Sequence, residues 1–179
     1  VVAKHGVKPG HVILIHGQFI RPDQVQELKS LGIFPSMFPM HTFYWGDWYK
    51  QIVGPEQAAR ISPMRSILNT GLHATSHTDA PVALPNLMQV VWATVNRTSR
   101  SGTVIGPDER VTPYEAIKMI TLWGAEQFGE QAAKGSLEAG KLADLVVLSA
   151  NPLTVDPMTI NQIQVLETIK EGKLVWARK

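Results

Sequence analysis

Cysteine is absent from all 179 residues. That excludes disulfides and thiolate metal sites and leaves the redox compartment open. Charge of one sign is also scarce. The formal net charge is +2, and the lysines and arginines are scattered. No basic stripe argues for nucleic acid. No apolar run is long enough to span a bilayer, so no membrane segment is expected. A Gly-rich phosphate loop is missing, which counts against a sugar- or nucleotide-binding α/β domain. No secretory signal is visible at the start, and the cytoplasm is the expected location. The chain opens Val1-Val2-Ala3 without an initiator methionine, as a processed, trimmed or partial chain would. There is no internal repeat and no low-complexity segment.

What is present suffices for one ordinary domain with a core: 44% hydrophobic and 18% charged residues. Val1 to Gly10 is a lead-in closed by the turn signal Lys8-Pro9-Gly10. Val12-Ile13-Leu14-Ile15 is a continuous apolar run, as expected of a strand buried on both faces, and it ends in His16-Gly17. Pro22 to Leu31 carries apolar positions at helical spacing, and Gly32 terminates it. Ile33 to Phe38 is a further strand. Strand, helix, strand in this compass is a βαβ unit and implies a parallel sheet. Pro39 to Trp48 reads as an aromatic-rich loop containing His41. It is either a substrate-pocket wall or a loop packed by its own aromatics.

Leu72 to Thr78 reads as a strand that ends in a loaded polar tip. Alternation places Leu72, Ala74, Ser76 and Thr78 on one face, with His73, Thr75, His77 and Asp79 on the other. Two imidazoles and a carboxylate on one face are costly to bury unless paired or bound to metal. A half-exposed strand with solvated histidines is the competing account. Pro81 stops the strand and leaves Asp79 at its C-terminal end, where α/β enzymes place their chemistry. Leu87 to Val95 is apolar and helical. Asn96 to Gly102 is a polar loop in which Arg97 either meets a substrate carboxylate or is solvated. Thr112-Pro113-Tyr114-Glu115 starts a helix with a capping box, running to about Phe128-Gly129. The tail then alternates. Leu145 to Leu148 is a strand, and Val165–Lys170 with Lys173–Trp176 forms a hairpin turned at Glu171-Gly172. The division expected is an α/β body over residues 1–133 and a small β domain over residues 134–179.

Two stretches carry a family resemblance. Lys134-Gly135-Ser136-Leu137-Glu138-Ala139-Gly140-Lys141-Leu142-Ala143-Asp144-Leu145-Val146-Val147-Leu148 resembles the tail signature of metal-dependent amidohydrolases. Ser76-His77-Thr78-Asp79-Ala80-Pro81-Val82 resembles the last barrel strand of that superfamily. With Thr112-Pro113, Glu115-Ala116 and Asn151-Pro152-Leu153, they point to the amidohydrolase family 3 branch.

The resemblance implies an α/β fold: the last three strands and helices of a (β/α)8 barrel, followed by part of a small β-sandwich. By that pattern Asp79 matches the eighth-strand aspartate, a metal ligand and the catalytic base. His16 matches the sixth-strand metal-binding histidine. His41 follows the seventh strand and faces substrate, and His77 either orients Asp79 or meets substrate. His5, His11 and His73 are taken as structural. The implied cofactor is one or two divalent metals, most simply zinc. The implied reaction is hydrolysis of a carbon–nitrogen bond other than a peptide bond. Amides, ureas, cyclic imides, acylated amino acids and formamides all suit that machinery. The family's His-x-His pair, fourth-strand lysine and fifth-strand histidine have no counterparts here, and a barrel needs about 250 residues. The expected partners are therefore a small amide-like substrate, the N-terminal remainder of the barrel, and copies of this chain as a homo-oligomer. The alternative is a catalytically incomplete fragment with a structural or interaction role.

Overall fold

A computed structural model describes residues 2–6 and 12–179. The turn expected at Lys8-Pro9-Gly10 and the structural role expected of His11 lie outside the described residues. Val2–His5 forms one helical turn (α1) where only a lead-in was expected, and His5 is exposed on it.

The body opens with β1 (Ile13–His16), α2 (Pro22–Leu31) and β2 (Phe34–Met37). Pro22 suits the first position of α2, and the Gln24 side chain accepts from the Arg21 N–H at 3.1 Å. Val25 and Leu28 face the core, and Gly32 ends the helix at a φ of 63°. The chain then returns parallel to β1, with Ile13 opposite Phe34 and His16 opposite Met37. α3 (Met40–Ile52), α4 (Pro55–Ala59) and α5 (Met64–Asn69) lead to β3 (Thr75–Ser76), which pairs parallel with Ser36 and Met37. The sheet order is β1-β2-β3, as the repeated strand–helix–strand pattern implies. Pro35 sits in the central strand, yet the β3 ladder starts only at Ser36, so no pairing on that side needs its missing N–H.

Four expectations need correction. The aromatic stretch after β2 is the helix α3 rather than a loop. His41 and Trp45 fall at helical spacing and both meet Phe38, just before the helix, while Phe43 meets Trp92 in the next layer. The strand expected over Leu72–Thr78 is shortened to two paired residues, because β3 has only β2 beside it. The helix expected to run to Phe128 breaks at Thr121 into α7 (Pro113–Ile120) and α8 (Leu122–Gln127). β1 also differs from a strand covered on both faces. It is an edge strand, and Ile15 is 51% exposed.

The core forms where α6 (Leu87–Asn96) lies among α3, α7 and the tail, with Val90 through Asn96 all buried. Thr112 and Glu115 form the expected capping box on α7. The tail carries β4 (Leu145–Leu148), β5 (Val165–Lys170) and β6 (Lys173–Ala177) in an antiparallel sheet of order β4-β5-β6. Before β5, a 3₁₀ helix at Pro157–Gln162 buries Ile160 in the same core as α6. The Trp92 indole and the Asn96 amide donate to the Met158 and Pro157 carbonyls at 3.0 and 2.8 Å. The tail is thus tied to the body by buried contacts.

Candidate functional site

The carboxyl ends of β1, β2 and β3 converge on one cluster. His16 ends β1 at a φ of 69°, so its backbone turns sharply where the strand stops. Asp79 lies three residues past β3, with a φ of 52°. These local turns bring His16 Nε2 to 3.7 Å from Asp79 Oδ2. His77 joins them. One ligand atom from each of His16, His77 and Asp79 lies within 4.8 Å of the others, a spacing that could hold a metal ion. All three residues are partly buried.

Two nitrogens of the cluster, His16 Nδ1 and His77 Nε2, are buried without a hydrogen-bond partner among the described residues. Buried polar atoms are rarely left unpaired. The His16 imidazole beside the Asp79 carboxylate is a donor pair that a divalent transition metal takes, and His77 lies within reach of the same point. The residues present therefore fit such a metal.

Phe38, at the end of β2, packs the imidazoles together. It stacks on His77 with centroids 5.4 Å apart and meets His16 and His41 edge-on at 5.8 and 4.8 Å. His41 lies in the first turn of α3, 8% exposed, with its ring 5.7 Å from that of His16. Its Nδ1 is 3.4 Å from Ser62 Oγ. Burial, reinforced by the neighbouring His16 and His77, pushes His41 down to about 4. Burial followed by His16 also lowers His77. Both rings are therefore neutral at neutral pH, as a ligand or hydrogen-bond acceptor must be.

His73 shares the sequence pattern but not the cluster. It stands at the opposite end of β3, stacked on Trp123 at 4.6 Å and 2.5 Å from Glu126. That arrangement agrees with a structural role. Arg97 matches neither account given for it. It is 1% exposed, and its guanidinium donates to the carbonyls of Ile105, Ser62, Ile61 and Ala59. Burial lowers its pKa to about 10, still well above neutrality. Sequence reasoning missed Ser62 and Phe38 altogether. Ser62 carries no motif, and Phe38 reads as an ordinary core aromatic.

The sequence pattern of the amidohydrolase family matches residues 1–176. Over 166 residues the chain is 32% identical to the N-substituted formamide deformylase of Arthrobacter pascens, covering 92% of this chain and 31% of that protein. A metal-dependent hydrolase from Pyrococcus horikoshii superposes with a TM-score of 0.69 at 22% identity, covering 81% of this chain and 30% of that one. An adenosine deaminase from Xanthomonas campestris with bound zinc gives a TM-score of 0.69 at 18% identity, covering 98% and 42%. The chain spans about a third of the length of the curated relatives it matches.

Proposed function

The chain belongs to the amidohydrolase family, and from that premise we propose that it supplies the C-terminal part of a metal-dependent hydrolase of non-peptide carbon–nitrogen bonds. The observation that carries this reading is the cluster of His16, His77 and Asp79 at the carboxyl ends of parallel strands. Residues 1–133 then form the last three strands and helices of a (β/α)8 barrel. Residues 134–179 form part of a small β-sandwich, and the rest of the protein closes both. The exposed edge strand β1 supports this division, since its apolar run is built for cover that the described residues do not supply.

His16 and Asp79 would hold the metal, and zinc is the simplest choice because a zinc-bound neighbour shares the fold. A divalent ion at this position supplies Lewis acidity to the scissile carbonyl. Asp79 takes the proton from the attacking water and passes it to the leaving nitrogen. Its left-handed backbone holds the carboxylate beside His16 rather than along the strand. His77 and His41 stand on the substrate side, both neutral and both braced by Phe38.

The substrate is a small amide-like molecule. An N-substituted formamide is the first probe, because the relative from Arthrobacter pascens is named for that class. The test compares the complete polypeptide with its His16→Asn variant, reading metal content and the release of formate and amine together. Loss of both in the variant is expected. A variant with full metal content would remove His16 from the ligand set. A wild-type protein that holds no metal would favour the alternative of a structural or interaction module.

A further inference from the structure

Four separate segments meet at Ser62. It lies between α4 and α5 with a φ of 47° and is fully buried. Its N–H donates to the Gln18 carbonyl at 2.9 Å, two residues beyond His16. Its hydroxyl donates to the Phe38 carbonyl at 3.2 Å, at the end of β2. Its own carbonyl accepts from Arg97 at 2.9 Å. The fourth segment is α3, through His41 Nδ1 at 3.4 Å from Oγ.

A hydroxyl has one proton. The shorter of the two hydroxyl contacts is to the Phe38 carbonyl, at 3.2 against 3.4 Å, and with the proton assigned there Oγ meets His41 as an acceptor and Nδ1 carries the imidazole proton. Nε2 of the neutral ring then keeps its lone pair. Among the described residues, His41 has no other side-chain hydrogen bond than the one to Ser62.

The turn that sets Ser62 is itself clamped. Arg97 gathers the carbonyls of Ile61, Ile105, Ser62 and Ala59 at 2.7, 2.8, 2.9 and 3.3 Å. No carboxylate is in ion-pair contact with it among the described residues. A buried guanidinium beyond ion-pair reach of a carboxylate is expensive; Glu109 favours its charge at longer range, and the close compensation comes from the carbonyls it collects. Gly106 closes the other side, where a Cβ would stand 1.8 Å from the Ala59 carbonyl oxygen. Ser62 therefore has little freedom to turn away from His41.

We infer that Ser62, clamped by Arg97, is a positioning residue that fixes His41 as the Nδ1–H tautomer, leaving Nε2 to accept a hydrogen bond from the N–H of a substrate amide. The substrate half of this inference rests on the amide-hydrolase reading of the site. It selects amides that carry an N–H over fully N-substituted ones. A site built around such a bond rejects the analogue that lacks the donor.

The test is the Ser62→Gly variant of the complete polypeptide. Glycine adopts the left-handed backbone without steric cost, so the change is confined to the loss of the hydroxymethyl group. In metal-free protein labelled with ¹⁵N-histidine, the His41 signals are assigned by their loss in His41→Asn. Wild type should show the Nδ1–H tautomer, and Ser62→Gly should show a mixture with Nε2–H. With N-butylformamide, Ser62→Gly should lower kcat/KM about tenfold, the equivalent of one ordinary hydrogen bond. With N-butyl-N-methylformamide, which has no N–H, the two proteins should match. An unchanged tautomer would overturn the role of Ser62, as would equal losses on both substrates, which a merely structural defect would cause. If wild type hydrolyses neither formamide, the amide-hydrolase reading falls with the substrate half, while the tautomer still decides the role of Ser62.

Discussion

Asp79 is the residue on which the proposed chemistry turns, and its replacement by asparagine isolates that role. The amide matches the carboxylate in size but cannot accept the proton of a water. Asp79→Asn in the complete polypeptide should keep the fold and lose at least about 10²-fold in kcat, as expected of a lost general base. Circular dichroism and steady-state kinetics check it, and a variant with near-normal kcat would take Asp79 out of the mechanism. His77 poses a different question, because it lies within ligand reach of His16 and Asp79 and also stacks on Phe38. His77→Ala should leave the metal content intact and raise KM, as a substrate-side residue would. A fall in metal content would place His77 among the ligands instead. The placement of His16, His77 and Asp79 at or just past strand ends was legible in the sequence, because strand pattern is local, whereas the roles proposed for them came from the family resemblance. Arg97 was not legible, because its partners are carbonyls 8 to 38 residues away. Nothing in a polar loop sequence marks an arginine that will turn inward to backbone.

At the scale of elements, the helix α3 shows where pattern reading gives out. Aromatic residues and a glycine read as loop or strand, yet the stretch is helical, with His41 and Trp45 packing along one side against Phe38. Helix α7 was legible for the opposite reason, since its start signal is wholly local. Glu115 there serves two partners. It closes the capping box with Thr112, and its two carboxylate oxygens accept from Arg65 on α5 at 2.9 and 2.5 Å. The hydrogen bonds from Arg65 are the main reason its carboxyl is held down at about 2, against an ordinary value of 4.5. A carboxyl depressed in the folded state adds stability that is fully present above pH 4.5 and is lost as pH falls through about 2. Glu115→Gln should therefore lower stability at pH 7 by about 1 kcal/mol, allowing for partial solvent screening. The difference from wild type should shrink as pH falls below 4.5 and vanish near 2. Denaturant melts at several pH values check it, and a constant difference across that range would mean the ion pair contributes nothing. Gly106→Ala is a harsher change to the connection beyond α6. The added Cβ meets the Ala59 carbonyl, and the φ of 59° disfavours any side chain. A loss of about 2 kcal/mol or more is expected by thermal melting.

At the scale of the whole molecule, residues 1–179 present apolar surfaces and strand edges that are left uncovered among the described residues. β1 is an edge strand with Ile15 half-exposed, and the antiparallel tail sheet ends in β6, where Leu174, Val175 and Trp176 are about half-exposed. An open cavity of about 1040 Å³ runs between that sheet and the start of α6, lined in part by Leu87, Ile120, Val146 and Ile163. It lies away from the histidine cluster, so it is read as a packing surface rather than a substrate site. Parallel strand order and the tail hairpin were legible because period and turn chemistry are local. The extent of cover was not, because burial is set by contacts distant in sequence. The metal site tells the same story in ligands. A tight zinc site needs three or four well-placed protein donors. His16 and Asp79 are the two assigned here, and the remainder would come from strands that the relatives have and this stretch does not span. The expected outcome is that residues 1–179 alone bind zinc weakly, hydrolyse no formamide, and self-associate through uncovered edges and apolar faces. Sedimentation, metal analysis and an amine-release assay measure the three together. Adding the missing N-terminal portion, in one chain or as a second, should restore monodispersity, metal binding and hydrolysis in step, because one set of strands supplies both the cover and the ligands. A monomer of residues 1–179 that binds zinc tightly and turns over an amide would mean that His16, His77 and Asp79 form a complete site by themselves.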